Sequence, residues 1–207
     1  MLIKNLLRIV KSYKFLLIII IFYEIIYFLK GFKGNKFHFS SNKEMSDDIP
    51  CPYYFLLKIK KELQKERFNT FIDLGCGSGR IIDFFSKTFS DKKFIGIEYF
   101  NEQYEYCKKK FKGKENINIL QGDFTKLDFL KYSSDCYFFN NPFRAEDKFV
   151  NFMNLNKESF IKNRKLFIFV NYEKETIENL NYLKIIKNFY STKNKGFSIC
   201  YSNDYLK

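Results

Sequence analysis

The chain has 207 residues, enough for one domain with an N-terminal segment to spare. Its five cysteines (Cys51, Cys76, Cys107, Cys136, Cys200) form no C-x-x-C pair, and its single histidine, His38, lies outside the expected core; this argues against a zinc site or a disulfide framework and for reduced thiols in a cytosolic compartment. The formal net charge of +13 suits nucleic acid, anionic lipid or an acidic protein, with a solvated Lys-rich surface as the simpler reading. Usage is skewed to Lys, Asn, Ile, Phe and Tyr with one alanine, Ala145, so codon bias explains the aromatic abundance and no base-stacking platform is read from it.

The first apolar run, Phe15 to Leu29, is interrupted only by Glu24 and is bracketed by Lys14 and Lys30. As a helix it reaches about 22 Å, against a hydrocarbon core of about 30 Å, a deficit that snorkelling lysines reduce. Three readings compete: a single membrane anchor over residues 1–30, which we take as the expectation, a helix lying in the membrane interface, and a cleaved signal peptide. Residues 31–50 are expected to form a polar linker, and residues 51–207 the globular domain.

Pro52 opens an expected helix to about Phe68, with Tyr54, Leu57, Ile59 and Leu63 on its apolar stripe. An apolar strand over 70–74 then runs into Gly75-Cys76-Gly77-Ser78-Gly79, with Asp73 two residues before the first glycine. The spacing G-x-G-x-G lacks the last glycine of the dinucleotide fingerprint, Arg80 standing there instead, and the Asp suits a ligand carrying an ammonium group. Strands follow at 93–98, 118–120, 136–139 and 165–170, with helices between them: one after the glycine loop carrying Ile81, Ile82, Phe84 and Phe85, one at 101–112 and one from about 145 to 163; Tyr104 and Phe111 are expected to face inward. A short helix (173–181) and two strands (184–190 and 196–202) joined by a tight loop complete the chain, so one of that pair must run antiparallel. Strands alternating with helices predict an α/β fold, a mostly parallel seven-stranded sheet with helices on both faces.

Each expected strand ends in a chemically useful residue. Glu98 can accept hydrogen bonds from ribose hydroxyls, as the acidic residue of dinucleotide folds does. Asp123 can accept an adenine amino proton while Phe124 covers a purine face. Asn140-Asn141-Pro142-Phe143 follows the fourth strand, where amide carbonyls can accept from a substrate amine and Phe143 can pack against a cation.

The glycine loop with Asp73 resembles motif I of the class I S-adenosylmethionine-dependent methyltransferases. With Gly96-Ile97-Glu98, Gly122-Asp123-Phe124 and Phe139-Asn140-Asn141-Pro142-Phe143 in the same order, residues 45–205 look like the non-SET lysine methyltransferases of the disruptor-of-telomeric-silencing type and their small bacterial relatives. The resemblance implies a Rossmann-like fold and S-adenosyl-L-methionine as cofactor, held by Asp73, Gly75, Cys76, Gly77, Gly79, Glu98, Asp123, Phe124 and Asn140. It implies Asn140, Asn141 and Phe143 as the acceptor-side residues, and no metal. Membrane-anchored relatives that modify an ATP synthase subunit share a short hydrophobic N-terminus, and a cofactor made in the cytosol would put a tethered catalytic domain there. Pro142 departs from the histone enzymes toward the Asn-Pro-Pro-Phe/Tyr loop of enzymes acting on adenine or glutamine. The expected function is therefore methyl transfer to an amine, a protein lysine first, a nucleic-acid amine second, with a non-catalytic nucleotide-binding membrane module as the rival of another class.

Overall fold

The computed structural model describes residues 16–32, 49–143 and 145–202. Residues 33–48, which hold His38 and most of the expected linker, lie outside the described residues. In chain order the elements are α1 (Leu16–Leu29), α2 (Tyr53–Leu63), β1 (Thr70–Leu74), α3 (Arg80–Thr88), β2 (Lys93–Glu98), α4 (Asn101–Lys110), β3 (Ile117–Gln121), a 3-10 turn (Phe124–Lys126), β4 (Cys136–Phe139), α5 (Glu146–Leu155), α6 (Lys157–Ile161), β5 (Leu166–Val170), α7 (Lys174–Glu178), β6 (Leu183–Thr192) and β7 (Lys195–Ser202).

The seven strands form one sheet in the order β3-β2-β1-β4-β5-β7-β6. β1 to β5 are mutually parallel, and β7 runs antiparallel to both β5 and β6, which gives the mixed C-terminal edge that the tight 193–194 connection demands. The central strands are continuous apolar runs because both of their faces are covered. On one face Phe71, Phe94, Phe138, Ile168 and Val170 meet α2 and α3 through Leu56, Ile59, Ile82 and Phe85. On the other, Ile72, Leu74, Tyr137, Phe139, Phe167 and Phe169 meet α5 and α6 through Phe149, Phe152, Met153 and Phe160. The period of two along β4 and β5 decides which ring goes to which side. Aromatic neighbours stack across that second face, with Tyr137 over Phe167 at 5.2 Å and Phe139 over Phe169 at 5.3 Å between ring centroids.

Several boundaries differ from the sequence reading. The first helix of the domain stops at Leu63, and its buried residues are Tyr53, Phe55, Leu56, Ile59 and Leu63, so Tyr54 and Leu57 lie beside the core face. The expected helix over 145–163 is broken in two at Asn156. In α4 the inward residues are Gln103 and Cys107, Phe111 is buried as expected, and Tyr104 is half-buried.

The largest correction concerns the N-terminus. Among the described residues no helix is long and apolar enough to cross a membrane, so the transmembrane anchor and the membrane-anchored localisation expected from it do not stand. α1 has 14 residues, about 21 Å of helix, and one of its faces is used by the protein itself. Glu24, the residue costly to a membrane reading, faces the Arg80 guanidinium with both oxygens (Nη1 to Oε1 3.0 Å, to Oε2 2.9 Å) and accepts from the Tyr53 amide at 3.0 Å. Tyr27 stacks on Tyr53 with centroids 4.5 Å apart and planes 11° from parallel, and Phe32 packs on Tyr53 and Phe84. The opposite face leaves Ile18, Ile21, Phe22, Ile25, Phe28 and Leu29 exposed.

Because the Arg80 side chain is only 10% exposed and Glu24 33%, removing the acid strands a largely buried cation. Glu24→Ala is expected to destabilise the protein by about 2 kcal/mol, less than the loss for a fully buried pair. Chemical denaturation checks this, and an unchanged midpoint would show that the Glu24–Arg80 pair adds nothing to the fold.

Candidate active site

The carboxyl ends of β1, β2, β3 and β4 converge on one edge of the sheet, where parallel α/β folds place their ligands. The loop after β1 turns so tightly that Gly75, Gly77 and Gly79 all adopt left-handed backbone angles (φ 82°, 51° and 74°). Two of these positions are also closed by packing. A Cβ on Gly79 would come within 2.6 Å of the Phe111 ring, and one on Gly75 within 3.1 Å of Pro142. The glycine loop and the Asn140–Phe143 loop are therefore in direct contact.

Glu98, at the end of β2 and 5% exposed, holds this loop to its neighbour strand. Its Oε2 accepts from the Gly77 amide at 2.7 Å and its Oε1 from the Phe100 amide at 2.8 Å. The Gly75 and Cys76 amides both donate to the Ile97 carbonyl at 3.0 Å. Asp73 is fully buried in β1, in register with Gly96 of β2 and Phe138 of β4. Cys107 reaches up from α4 and donates from Sγ to the Gly77 carbonyl at 3.0 Å. A hydrogen bond with Cys107, together with burial, holds the Cys76 thiol well above its ordinary pKa, so the loop presents a neutral thiol and no thiolate nucleophile.

Asp123 caps the 3-10 turn, its Oδ1 accepting from the Thr125 amide at 3.0 Å and the Thr125 hydroxyl at 2.6 Å. Phe124 is buried edge-on to Phe143 (5.4 Å) and Phe152 (5.5 Å) and supports the wall from behind. A cavity of about 680 Å³ opens between the ends of β2 and β3 and helix α5, lined by Tyr99, Asp123, Thr125, Phe143, Asn151 and Phe152 among others. Asn140 donates from Nδ2 to the Ile49 carbonyl at 2.7 Å and accepts at Oδ1 from Asn171 Nδ2 at 3.2 Å. Asn141 has a left-handed φ of 45°, which turns the chain into Pro142.

Three residues at this edge were not singled out from sequence. Arg80, the first residue of α3, spans from the glycine loop to Glu24, the Cys51 carbonyl and the Tyr53 ring. Lys110 donates to the Ser78 and Gly79 carbonyls at 3.3 and 3.4 Å, and burial pushes its pKa down. Asn171 follows β5 and reaches Asn140. For Lys110 a signal existed, since a Lys-rich helix end is placed to donate to nearby carbonyls; for Arg80 and Asn171, whose partners are distant in sequence, there was none. Among the described residues no group of three or more His, Cys, Asp and Glu is placed to hold a metal ion.

Two buried carboxylates at adjacent strand ends, beside three left-handed glycines, fit a ligand that offers an ammonium group and hydroxyl donors. The comparisons with known proteins agree with that fit. Residues 71–154 match the family described as Methyltransferase domain. No curated protein matches the chain. Among solved structures, an RNA methyltransferase from Salinibacter ruber in complex with S-adenosyl-L-homocysteine aligns with a TM-score of 0.59 at 12% identity over 77% of this chain and 97% of that one. The human methyltransferase 10 domain containing protein aligns at 0.58 with 16% identity, over 78% and 90%. The mitomycin 7-O-methyltransferase MmcR aligns at 0.52 with 14% identity, over 73% and 55%. At such identities the likeness is one of fold.

Glu98→Gln tests the brace directly, because one amide NH₂ would have to face a backbone N–H. The expected loss of stability is about 1–3 kcal/mol, read by chemical denaturation, with the sheet retained by circular dichroism. A variant as stable as the wild type would show that the loop holds its shape without Glu98. The chain thus has the Rossmann-like fold of the class I methyltransferases, and the match of residues 71–154 to a methyltransferase domain supports S-adenosyl-L-methionine as its cofactor.

Proposed function

We propose that this protein transfers a methyl group from S-adenosyl-L-methionine to an amine nitrogen, that of a protein lysine. The observation that carries the proposal is the contact between the two loops. Pro142 sits against Gly75, so Asn140 and Asn141 stand beside the turn that would hold the cofactor. In this reading Asp73, Gly75, Cys76, Gly77, Gly79, Glu98, Asp123 and Phe124 shape the cofactor cleft, Phe124 from beneath. Asn140 borders both halves of the site, while Asn141 and Phe143 complete the acceptor side.

The cofactor supplies an activated methyl group on a sulfonium, already a good leaving group. The task left to the protein is to align an acceptor. Amide oxygens at the end of β4 accept N–H bonds from a neutral amine and so aim its lone pair. With the cofactor bound, that lone pair would take the methyl group while the methyl–sulfur electrons stayed on sulfur, and the surplus proton on nitrogen would pass to solvent. An amine already neutral in solution needs no general base. The runner-up acceptor is a nucleic-acid amine, favoured by Pro142 in the loop and by the charge of +13.

Incubating the protein with radiolabelled S-adenosylmethionine and fractionated lysate is expected to give label that protease removes and nuclease does not. Label lost only to nuclease would replace the lysine reading with the nucleic-acid one. Cofactor binding without label in any fraction would favour a non-catalytic binding module.

Asn140→Ala separates the two halves of the site. Methyl incorporation should fall by about tenfold or more with the affinity for S-adenosylhomocysteine, measured by calorimetry, nearly fixed, since an interaction made with the acceptor is worth most in the transition state. Full turnover would remove Asn140 from the acceptor side and leave Asn141.

A further inference from the structure

Asn171 is the first residue after β5, and two features of it cost free energy. Its φ of 62° is left-handed, a conformation that non-glycine residues adopt at a penalty. Its side-chain Oδ1 is buried and has no hydrogen-bond partner among the described residues. The backbone role of the residue, donating its amide to the Gly196 carbonyl at 2.9 Å, needs no side chain. Glycine would make that bond, take that φ freely and leave no orphaned oxygen. What the asparagine side chain adds is one contact: Nδ2 donates to Asn140 Oδ1 at 3.2 Å.

That contact fixes the direction of an otherwise ambiguous group. An asparagine amide has a carbonyl and an NH₂ of nearly equal size, and its neighbours alone decide which points where. Asn140 lies between a donor and an acceptor. Asn171 Nδ2 demands the oxygen on one side, and the Ile49 carbonyl, 2.7 Å from Asn140 Nδ2, demands the nitrogen on the other. Both neighbours require the same orientation. One lone pair of Asn140 Oδ1 is then occupied, and the second is held in a fixed direction for an acceptor N–H.

We infer that Asn171 is a positioning residue for methyl transfer, acting through Asn140 by locking its amide with the carbonyl presented to the acceptor. The inference rests on the proposed acceptor role of Asn140. It deepens that role by naming the group that enforces it, on a different strand and 31 residues further along the chain.

Two variants of the full-length protein test it. Asn171→Gly removes the donor and both costs. It should melt at or above the wild-type temperature, bind S-adenosylhomocysteine as tightly, and incorporate about ten- to a hundredfold less label from radiolabelled S-adenosylmethionine into the responsive lysate fraction. Asn171→Asp keeps the shape but offers only acceptors, so it sets an oxygen against Asn140 Oδ1 and the lock on the amide is lost. It should lose incorporation as severely and also shift the acid limb of the pH–rate profile upward, because a carboxylate near the acceptor stabilises its ammonium form.

A glycine variant as active as the wild type would overturn the inference. So would one that melts lower and loses activity only in proportion, since that is the signature of a structural role. If the wild type labels nucleic acid instead of protein, the lysine reading fails while the inference is judged by the same comparison on that product. If the wild type binds cofactor and labels nothing, Asn140 has no acceptor to orient and both fall together.

Discussion

The carboxylate of Glu98 is the point on which the site hangs. A turn with three left-handed glycines has little intrinsic reason to keep one shape, because glycine gives up more backbone freedom on folding than any other residue. Two short hydrogen bonds, donated by the amides of Gly77 and Phe100 to one buried acid, tie the turn to the end of β2 and to the entry of α4. With the turn fixed, Pro142 can rest against Gly75, Phe111 against Gly79, and α3 can begin at Arg80 with its guanidinium aimed back at Glu24. The Asn140–Phe143 loop, Phe111 and the start of α3 thus all adjoin a turn that this pair of bonds braces.

Much of the fold was legible in the sequence because its signals are local. β2 and β4 occupy the residues expected of them, since a short apolar run bounded by turn residues has few other uses in a chain this size. The glycine loop and the acids at the strand ends were legible for the same reason. What escaped depends on partners distant in sequence. Glu24 inside an apolar run reads as a defect in a membrane helix, and nothing near it announces that Arg80 lies 56 residues away. Asn156, which divides the helix before β5, follows Leu155 and carries no proline or glycine to mark the break. Asn171 is one of many asparagines in an asparagine-rich chain, and only its backbone angle and its reach to Asn140 set it apart. Phe124 was placed correctly at the end of β3, but its ring sits behind the cleft wall, a matter of rotamer and packing that periodicity does not carry.

The aromatic bias also has a structural reading. Where other α/β domains layer leucine and valine, this one stacks rings, and the face formed by Tyr137, Phe139, Phe167 and Phe169 is nearly continuous. Rings tolerate few rotamers, so large aromatic side chains fill space while forfeiting less freedom than long flexible ones. A composition set by codon usage is compatible with a well-packed core for that reason. The same abundance supplies the joint between α1 and the domain, where Tyr27, Phe32, Tyr53 and Phe84 meet.

The position of β7 has a consequence for how the protein is made. Among the described strands it comes last in sequence, yet it is inserted between β5 and β6 and not added at the rim. A ribosome therefore releases β1 to β5 with the edge of Leu166–Val170, all five residues destined for burial, still open to any strand that passes. β6 does not close that gap in the finished sheet, where the strand it pairs with is β7. A chain interrupted before Lys195 would carry an unfinished sheet with an adhesive edge, and the eight residues Lys195–Ser202 are the ones that seal it.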